Sequence, residues 1–199
     1  MNIKELKIVV TLTEPMLGST PSDKEIADTY IASNAPNAMS RAEEIEAIGV
    51  DAVQEKSKTI FPKLEDGTPF VWDYQIKGFF KDAAGCLTRL KDKSECGKIK
   101  AYKKVIDGLI FIKERRIPII FDGEIGSCQR PLRAMTMQGE RVALANSEEV
   151  PAGATLEFTI QLLDPSLEKM VRECLDYGQL RGLGQWRNSG KGRFTYVVS

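Results

Sequence analysis

The run GLGQWRNSGKGRF, residues 182–194, places four glycines at Gly182, Gly184, Gly190 and Gly192. Glycine takes positive φ without steric cost and lets a second backbone come close, so a cluster of this kind marks a tightly closed loop. Its flanks say what it joins. Upstream, DPSLEKMVRECLDYG reads as a helix, with Asp164 as cap, Pro165 at the first helical position and Gly178 as the expected terminator. Downstream, RFTYVV reads as a strand. A loop running from helix to strand excludes the phosphate-binding loop, which runs from strand to helix. Here Gly184 and Gly190-Lys191 are also separated by five residues rather than four, and Gly192 stands where a magnesium-binding hydroxyl belongs. The dinucleotide fingerprint fails too, because it needs a preceding strand and a glycine where Arg187 stands. No nucleotide cofactor, and no cofactor of another kind, is expected.

The rest of the chain supplies a frame for that loop. Leu6, Ile8, Val10 and Leu12 alternate with less apolar neighbours and predict a first strand, and Leu156, Phe158, Ile160 and Leu162 predict another. Between them, DYQIKGFFKDAAGCLTRLK carries Ile76, Phe79, Phe80, Ala83, Ala84 and Leu87 on one helical stripe, with Lys77 and Lys81 off it. KKVIDGLIFI and IPIIFDG are strand-like, separated by the charged turn Glu114-Arg115-Arg116. Without insertions the order is strand, helix, strand, strand, helix, strand. This predicts an α+β fold with a ferredoxin-like (RRM-like) βαββαβ core and an antiparallel sheet backed by two helices. An insertion over 14–70 holds two short predicted helices, 23–33 and 40–49, and a hairpin turning at Asp66-Gly67. A thumb-like hairpin over 125–150, turning at Gln138-Gly139-Glu140, bears Arg130, Arg133 and Arg141. The 199 residues are expected to form a single domain.

Charge and residue usage restrict the function. With 28 basic and 28 acidic residues the net charge is zero, but the distribution is uneven. Residues 23–55 hold eight acids against Lys24 and Arg41, while 177–199 hold Arg181, Arg187, Lys191 and Arg193 and no acid. That asymmetry suits a polyanion on one face only. The chain has no His, which removes His general bases, His triads and most transition-metal sites. Its four cysteines form no C-x-x-C pair and are expected to be reduced and partly buried, so no metal site is expected. The polar N-terminus and the lack of a long apolar run argue against a signal peptide or membrane span and for a cytoplasmic protein.

The residues of the glycine-rich run offer a specific chemistry. Arg187, Lys191 and Arg193 can meet phosphates, Trp186 can stack on a base, and Gln185 and Asn188 can hydrogen-bond. A glycine-lined groove of this composition suits a single strand better than a duplex. The plain alternative is a long turn with Trp186 packed beneath it.

Gly182-Leu183-Gly184 and Gly190-Lys191-Gly192, with Arg187 between them, resemble the glycine-rich loop of the RAMP superfamily of CRISPR-associated proteins, which lies at this same helix-to-strand junction. YQIKGFFKDAAG, with Lys77, Gly78 and Lys81, is similar to the motif opening the first helix of the crRNA-binding backbone-subunit branch, although Gln75 and Gly85 depart from it. TEPMLGSTP and EEVPAGATLEFTIQL look like further segments of that branch. The resemblance implies a non-catalytic protein binding single-stranded guide RNA (crRNA) through Lys77, Lys81, Arg130, Arg133, Arg141 and the loop residues named above. Its partners would be other CRISPR effector subunits or copies of itself. Three alternatives stand beside it. One is a solitary, phage-encoded mimic of a CRISPR subunit that acts as an anti-CRISPR inhibitor. The second is a metal-dependent endoribonuclease using Asp23 or Asp28, for which Asp23 has helix capping as its plainer role. The third is a phage structural or replication protein that uses the core only for self-association.

Overall fold

The computed structural model describes residues 3–22, 58–136 and 139–199. It is a mixed α/β structure with antiparallel sheets and, among the described residues, three α-helices. The chain forms two compact units, one made of residues 1–16, 62–123 and 151–199, the other of 17–61 and 124–150.

The first unit is built on β1 (Lys4–Leu12), β5 (Phe70–Trp72), β6 (Ile110–Ile112), β7 (Arg116–Ile120), β10 (Thr155–Leu162) and β11 (Phe194–Val198). Its strand order is β11-β1-β10-β7-β5, with β6 also on β10. β1 is an interior strand, paired antiparallel on both sides: Ile8 stands opposite Phe158 of β10 and Val198 of β11. The alternation in the sequence does what it predicts. Leu6, Ile8, Val10 and Leu12 are buried, as are Leu156, Phe158, Ile160 and Leu162, because a pleated strand sends alternate side chains to opposite faces. β6 and β7 pair with successive parts of β10, and between them the ladder breaks off after the Lys113 amide, which donates to the Thr159 carbonyl at 3.0 Å. There the Thr159 amide donates to Glu114 Oε2 at 2.7 Å, so a carboxylate replaces the missing carbonyl.

Three helices belong to this unit: α1 (Asp73–Leu87), α2 (Tyr102–Leu109) and α3 (Glu168–Arg181). The whole predicted stripe of α1, Ile76 through Leu87, is buried. The Trp72 amide at its start donates to Gln75 Oε1 at 2.8 Å, the amide reach-back expected of a capping box. Cys96 and Cys174 are buried with their sulfurs 3.6 Å apart, and all four cysteines are free.

Two sequence expectations change here. KKVIDGLIFI is not one strand: its first seven residues belong to α2 and only Ile110–Ile112 is extended. Gly178 does not end its helix. It lies inside α3, where a Cβ would come within 2.4 Å of the Phe194 ring and 2.6 Å of the Phe79 ring, so glycine is there for close packing. The helix ends instead at Gly182, with φ 82°. Asp164 caps the turn before α3 as expected, accepting from the Ser166 amide at 2.9 Å.

The second unit contains the short strands β3 (Thr20–Pro21) and β4 (Thr59–Ile60) and the long hairpin of β8 (Gly126–Thr136) and β9 (Gly139–Val150). Its sheet order is β2-β9-β4-β3 with β8 paired to β9, β2 being Met16–Leu17. The hairpin register closes at Thr136 opposite Gly139. The expected helices at 23–33 and 40–49, like Asp23, Asp28 and Gln138, lie outside the described residues.

Candidate nucleic-acid interface

The glycine-rich loop leaves α3 at Gly182 and returns to the sheet at Phe194. Its two ends are laced together. The Leu183 amide donates to the Gly192 carbonyl at 2.8 Å, and the Gly192 amide donates to the Pro15 carbonyl at 2.8 Å. Glycine is obligatory at this closure. Gly182 and Gly192 have φ of 82° and 71°, and a Cβ on them would lie 2.4 Å from the Lys191 carbonyl oxygen and 1.9 Å from that of Leu183. Across the strap, the carbonyl of Arg193 accepts from both the Thr13 and Glu14 amides, and Arg193 Nε donates to the Leu180 carbonyl at 2.9 Å. Arg193 therefore ties the loop to the end of α3.

Between those ends the loop stands open. Trp186, in the left-handed region at φ 53°, starts a turn of 3-10 helix over Arg187–Ser189 and is 41% exposed. An open hollow of about 410 Å³ is lined by Arg181, Gly184, Gln185, Trp186, Arg187 and Asn188. Two of its arginines converge on one carboxylate of α1: Arg187 Nη1 is 2.7 Å from Asp82 Oδ2, and Arg181 Nε is 3.5 Å from it. Arg181 also donates to Asn188 Oδ1. The hollow is thus rimmed by two cations sharing one anion, beside an exposed indole. This arrangement can accept a phosphate and stack a base.

The structure gathers the sequence-predicted residues into three places. Gly182, Gly184, Gln185, Trp186, Arg187, Asn188, Gly190, Lys191, Gly192 and Arg193 form the loop. Lys77 and Lys81, expected to point toward the same groove, meet Asp107 of α2 instead. Lys81 Nζ is 2.6 Å from Asp107 Oδ1, while Lys77 donates to the Asp107 carbonyl at 3.3 Å and lies 4.4 Å over the Phe111 ring. Burial pushes the Lys77 ammonium below its ordinary value, against the pull of Asp107. Arg130, expected at the surface of a thumb, is only 6% exposed and donates to Ser147 Oγ at 3.0 Å. Ser147 Oγ in turn lies 2.7 Å from Thr59 Oγ1. Arg130 therefore works inside the hairpin's own unit. Arg133 and Arg141 sit opposite Val142 and Ala134 in the β8–β9 ladder.

Two contributors lie outside the site residues that the sequence points to. Asp82, which orders the loop arginines, comes from a helix 105 residues earlier, and no local pattern could have linked them. Arg181 shows in the sequence only as one charge of the acid-free C-terminal stretch. Among the described residues, no group of three or more acids or cysteines is placed to hold a metal ion, and no helix is long and apolar enough to cross a membrane.

No family model and no curated protein matches the sequence. Solved structures do match its fold. The chain is similar to a chain of the type III-B Cmr-β complex bound to cognate target RNA, with TM-score 0.55 and 11% identity over 98% of this chain and 60% of that one. It is also similar to a chain of a type IV-B CRISPR complex, with TM-score 0.51 and 10% identity over 98% of this chain and 90% of that one. The chain thus spans less than two thirds of the length of the first and most of the second. These likenesses establish a fold shared with CRISPR-complex subunits.

Proposed function

We propose that this protein binds single-stranded guide RNA as a non-catalytic, RAMP-type subunit, alongside other CRISPR effector subunits or copies of itself. The observation that carries the reading is the placement of the glycine-rich loop. Its closure requires Gly182 and Gly192, it opens on a hollow bearing Trp186, Arg187 and Arg181, and it lies at the helix-to-strand junction of a fold shared with CRISPR-complex chains. The order β11-β1-β10-β7, with β5 added at its edge, α1 reached from β1 through the intervening segment that ends in β5, and α3 following β10, supports a split βαβ, ferredoxin-like core in the first unit.

Phosphate contacts would supply affinity, and base pairing by the bound RNA would supply sequence recognition. The direct test is titration of the purified protein with single-stranded RNA at several salt concentrations. Affinity falls steeply, with a log–log slope of about −0.7 for each phosphate neutralised. Measurable binding with a flat slope would remove the electrostatic basis of the proposal.

The chain performs no RNA cleavage of its own in this reading, since it has no His to exchange protons near neutral pH. Incubation of guide-loaded protein with complementary RNA and magnesium or manganese tests this. Cleavage that disappears in an Asp23→Ala, Asp28→Ala variant would replace the binding subunit with an endoribonuclease.

A further inference from the structure

We infer that the β5 edge of the first unit carries a second contact, a stacking platform for an unpaired base of single-stranded nucleic acid, built from Trp72, Tyr74, Arg115 and Arg116. The inference rests on the reading of the chain as a single-strand binder but not on the glycine-rich loop.

β5 supplies the frame. Trp72 stands directly opposite Arg116 of β7, and Phe70 opposite Pro118, and residues directly opposite in an antiparallel pair share one face. Val71 and Ile117 occupy the other face and are buried. The aromatic side of β5 is therefore the side that carries Arg116. Its guanidinium lies 5.7 Å from the Phe70 ring centre and 5.6 Å from that of Trp72. The chain then turns into α1, and Tyr74 comes to lie beside Trp72, the rings within 15° of parallel with centres 6.1 Å apart. Arg115 covers both, 5.4 Å from the Trp72 ring and 6.0 Å from that of Tyr74. It is held there by Asp73, whose two carboxylate oxygens accept from Nη1 at 2.6 and 2.8 Å.

The result is a set of flat π surfaces and planar cations at a sheet edge, open on its outer side: Tyr74 is 55% exposed and the Arg115 side chain 68%, with Trp72 half-buried and Phe70 buried beneath them. Two guanidiniums face one carboxylate, so the cluster retains positive charge after its internal ion pair is made. Parallel aromatics with arginines over them match a base with its phosphate, because every base offers a π face and every linkage an anion. Within a duplex those faces are already stacked, so the ligand is an unpaired strand. β5 and β11 are the two ends of the strand order. Four strand spacings of ~4.8 Å put the platform about 19 Å across the sheet from the strand that the glycine-rich loop enters.

The chain contains two tryptophans, Trp72 and Trp186, one in each place, which allows both readings to be followed at once. Incorporation of 5-fluorotryptophan gives two 19F resonances, assigned by Trp186→Phe. On titration with a twelve-residue oligouridylate at low salt, the Trp72 resonance moves, and a duplex of the same length leaves it in place. Tyr74→Ala with Arg115→Ala lowers affinity roughly fivefold or more, within the range of one stacked base. Movement of the Trp186 resonance alone would overturn the platform and leave the loop standing. Movement of the Trp72 resonance alone would support the platform and remove the loop. An acidic peptide moving the Trp72 resonance as much as the oligonucleotide does would make this edge a protein-docking patch and overturn the inference.

Discussion

Asp82 of α1 and Arg187 of the glycine-rich loop form an ion pair of 2.7 Å, part-buried at the rim of the hollow. The pair gives Arg187 two separable roles, anchoring the loop and presenting a cation. Arg187→Ala removes both, whereas Asp82→Ala removes only the anchor. Each loses about 1 kcal/mol of stability or less, as expected of a solvent-screened pair. We expect RNA affinity to fall in Arg187→Ala and in the Arg187→Ala, Lys191→Ala double variant, but to persist in Asp82→Ala. Equal loss in the Arg187 and Asp82 variants, measured by filter binding, would mean that the arginine serves only to hold the loop.

Gly190 and Gly192 separate backbone strain from steric exclusion. Both have positive φ, but a Cβ at Gly190 would meet nothing nearer than 3.7 Å, while at Gly192 it would sit 1.9 Å from a carbonyl oxygen. Gly190→Ala therefore costs roughly 1–2 kcal/mol from its left-handed backbone alone, and Gly192→Ala costs more because the strap between Leu183 and Gly192 has to part. Thermal denaturation of the two variants side by side checks the order.

Phe80 is fully buried, in the middle of the α1 stripe. Phe80→Ala opens a large cavity and costs about 3–5 kcal/mol. A loss below about 1 kcal/mol in denaturant titration would place the apolar face of α1 elsewhere.

The α1 stripe and the alternation of β1 and β10 were legible because one period ran through each without interruption. KKVIDGLIFI was not, since Val105, Ile106, Leu109, Ile110 and Ile112 satisfy a short helix and a short strand equally. What divided it was tertiary: Ile110–Ile112 has β10 to pair with, and the residues before it do not. Gly178 read as a stop because its neighbours, Phe79 and Phe194, are remote in sequence. The loop's closure was legible in its glycines, whereas its anchor at Asp82 was not. The aromatic edge left a faint signal, Phe70, Trp72 and Tyr74 at every second position running into a helix. Arg115 and Arg116 gave no hint beyond marking a turn.

Tyr196 of β11 makes the fold sensitive to alkali. Burial, together with donation of its hydroxyl to Asp176 Oδ1 at 2.7 Å, pushes the phenol up to about 12. An unfolded tyrosine titrates near 10, so the native chain favours the neutral form. That contribution is intact below about pH 10 and is lost as pH rises through about 12. Tyr196→Phe should flatten the fall in stability across this window, read by chemical denaturation at stepped pH.

Thr11 of the first strand pairs with Thr155 on one side and Thr195 on the other, and this sets a clock on assembly. At 5–20 residues per second, the ribosome takes on the order of 10 s to pass from the first strand to its first neighbour. Through that interval Leu6, Ile8, Val10 and Leu12 are already synthesised and have no ladder to enter. The sheet around this strand is therefore completed only by segments made long after it. A ribosome stalled short of residue 155 would leave an apolar strand open to chaperones and to edge-to-edge pairing with its own copies.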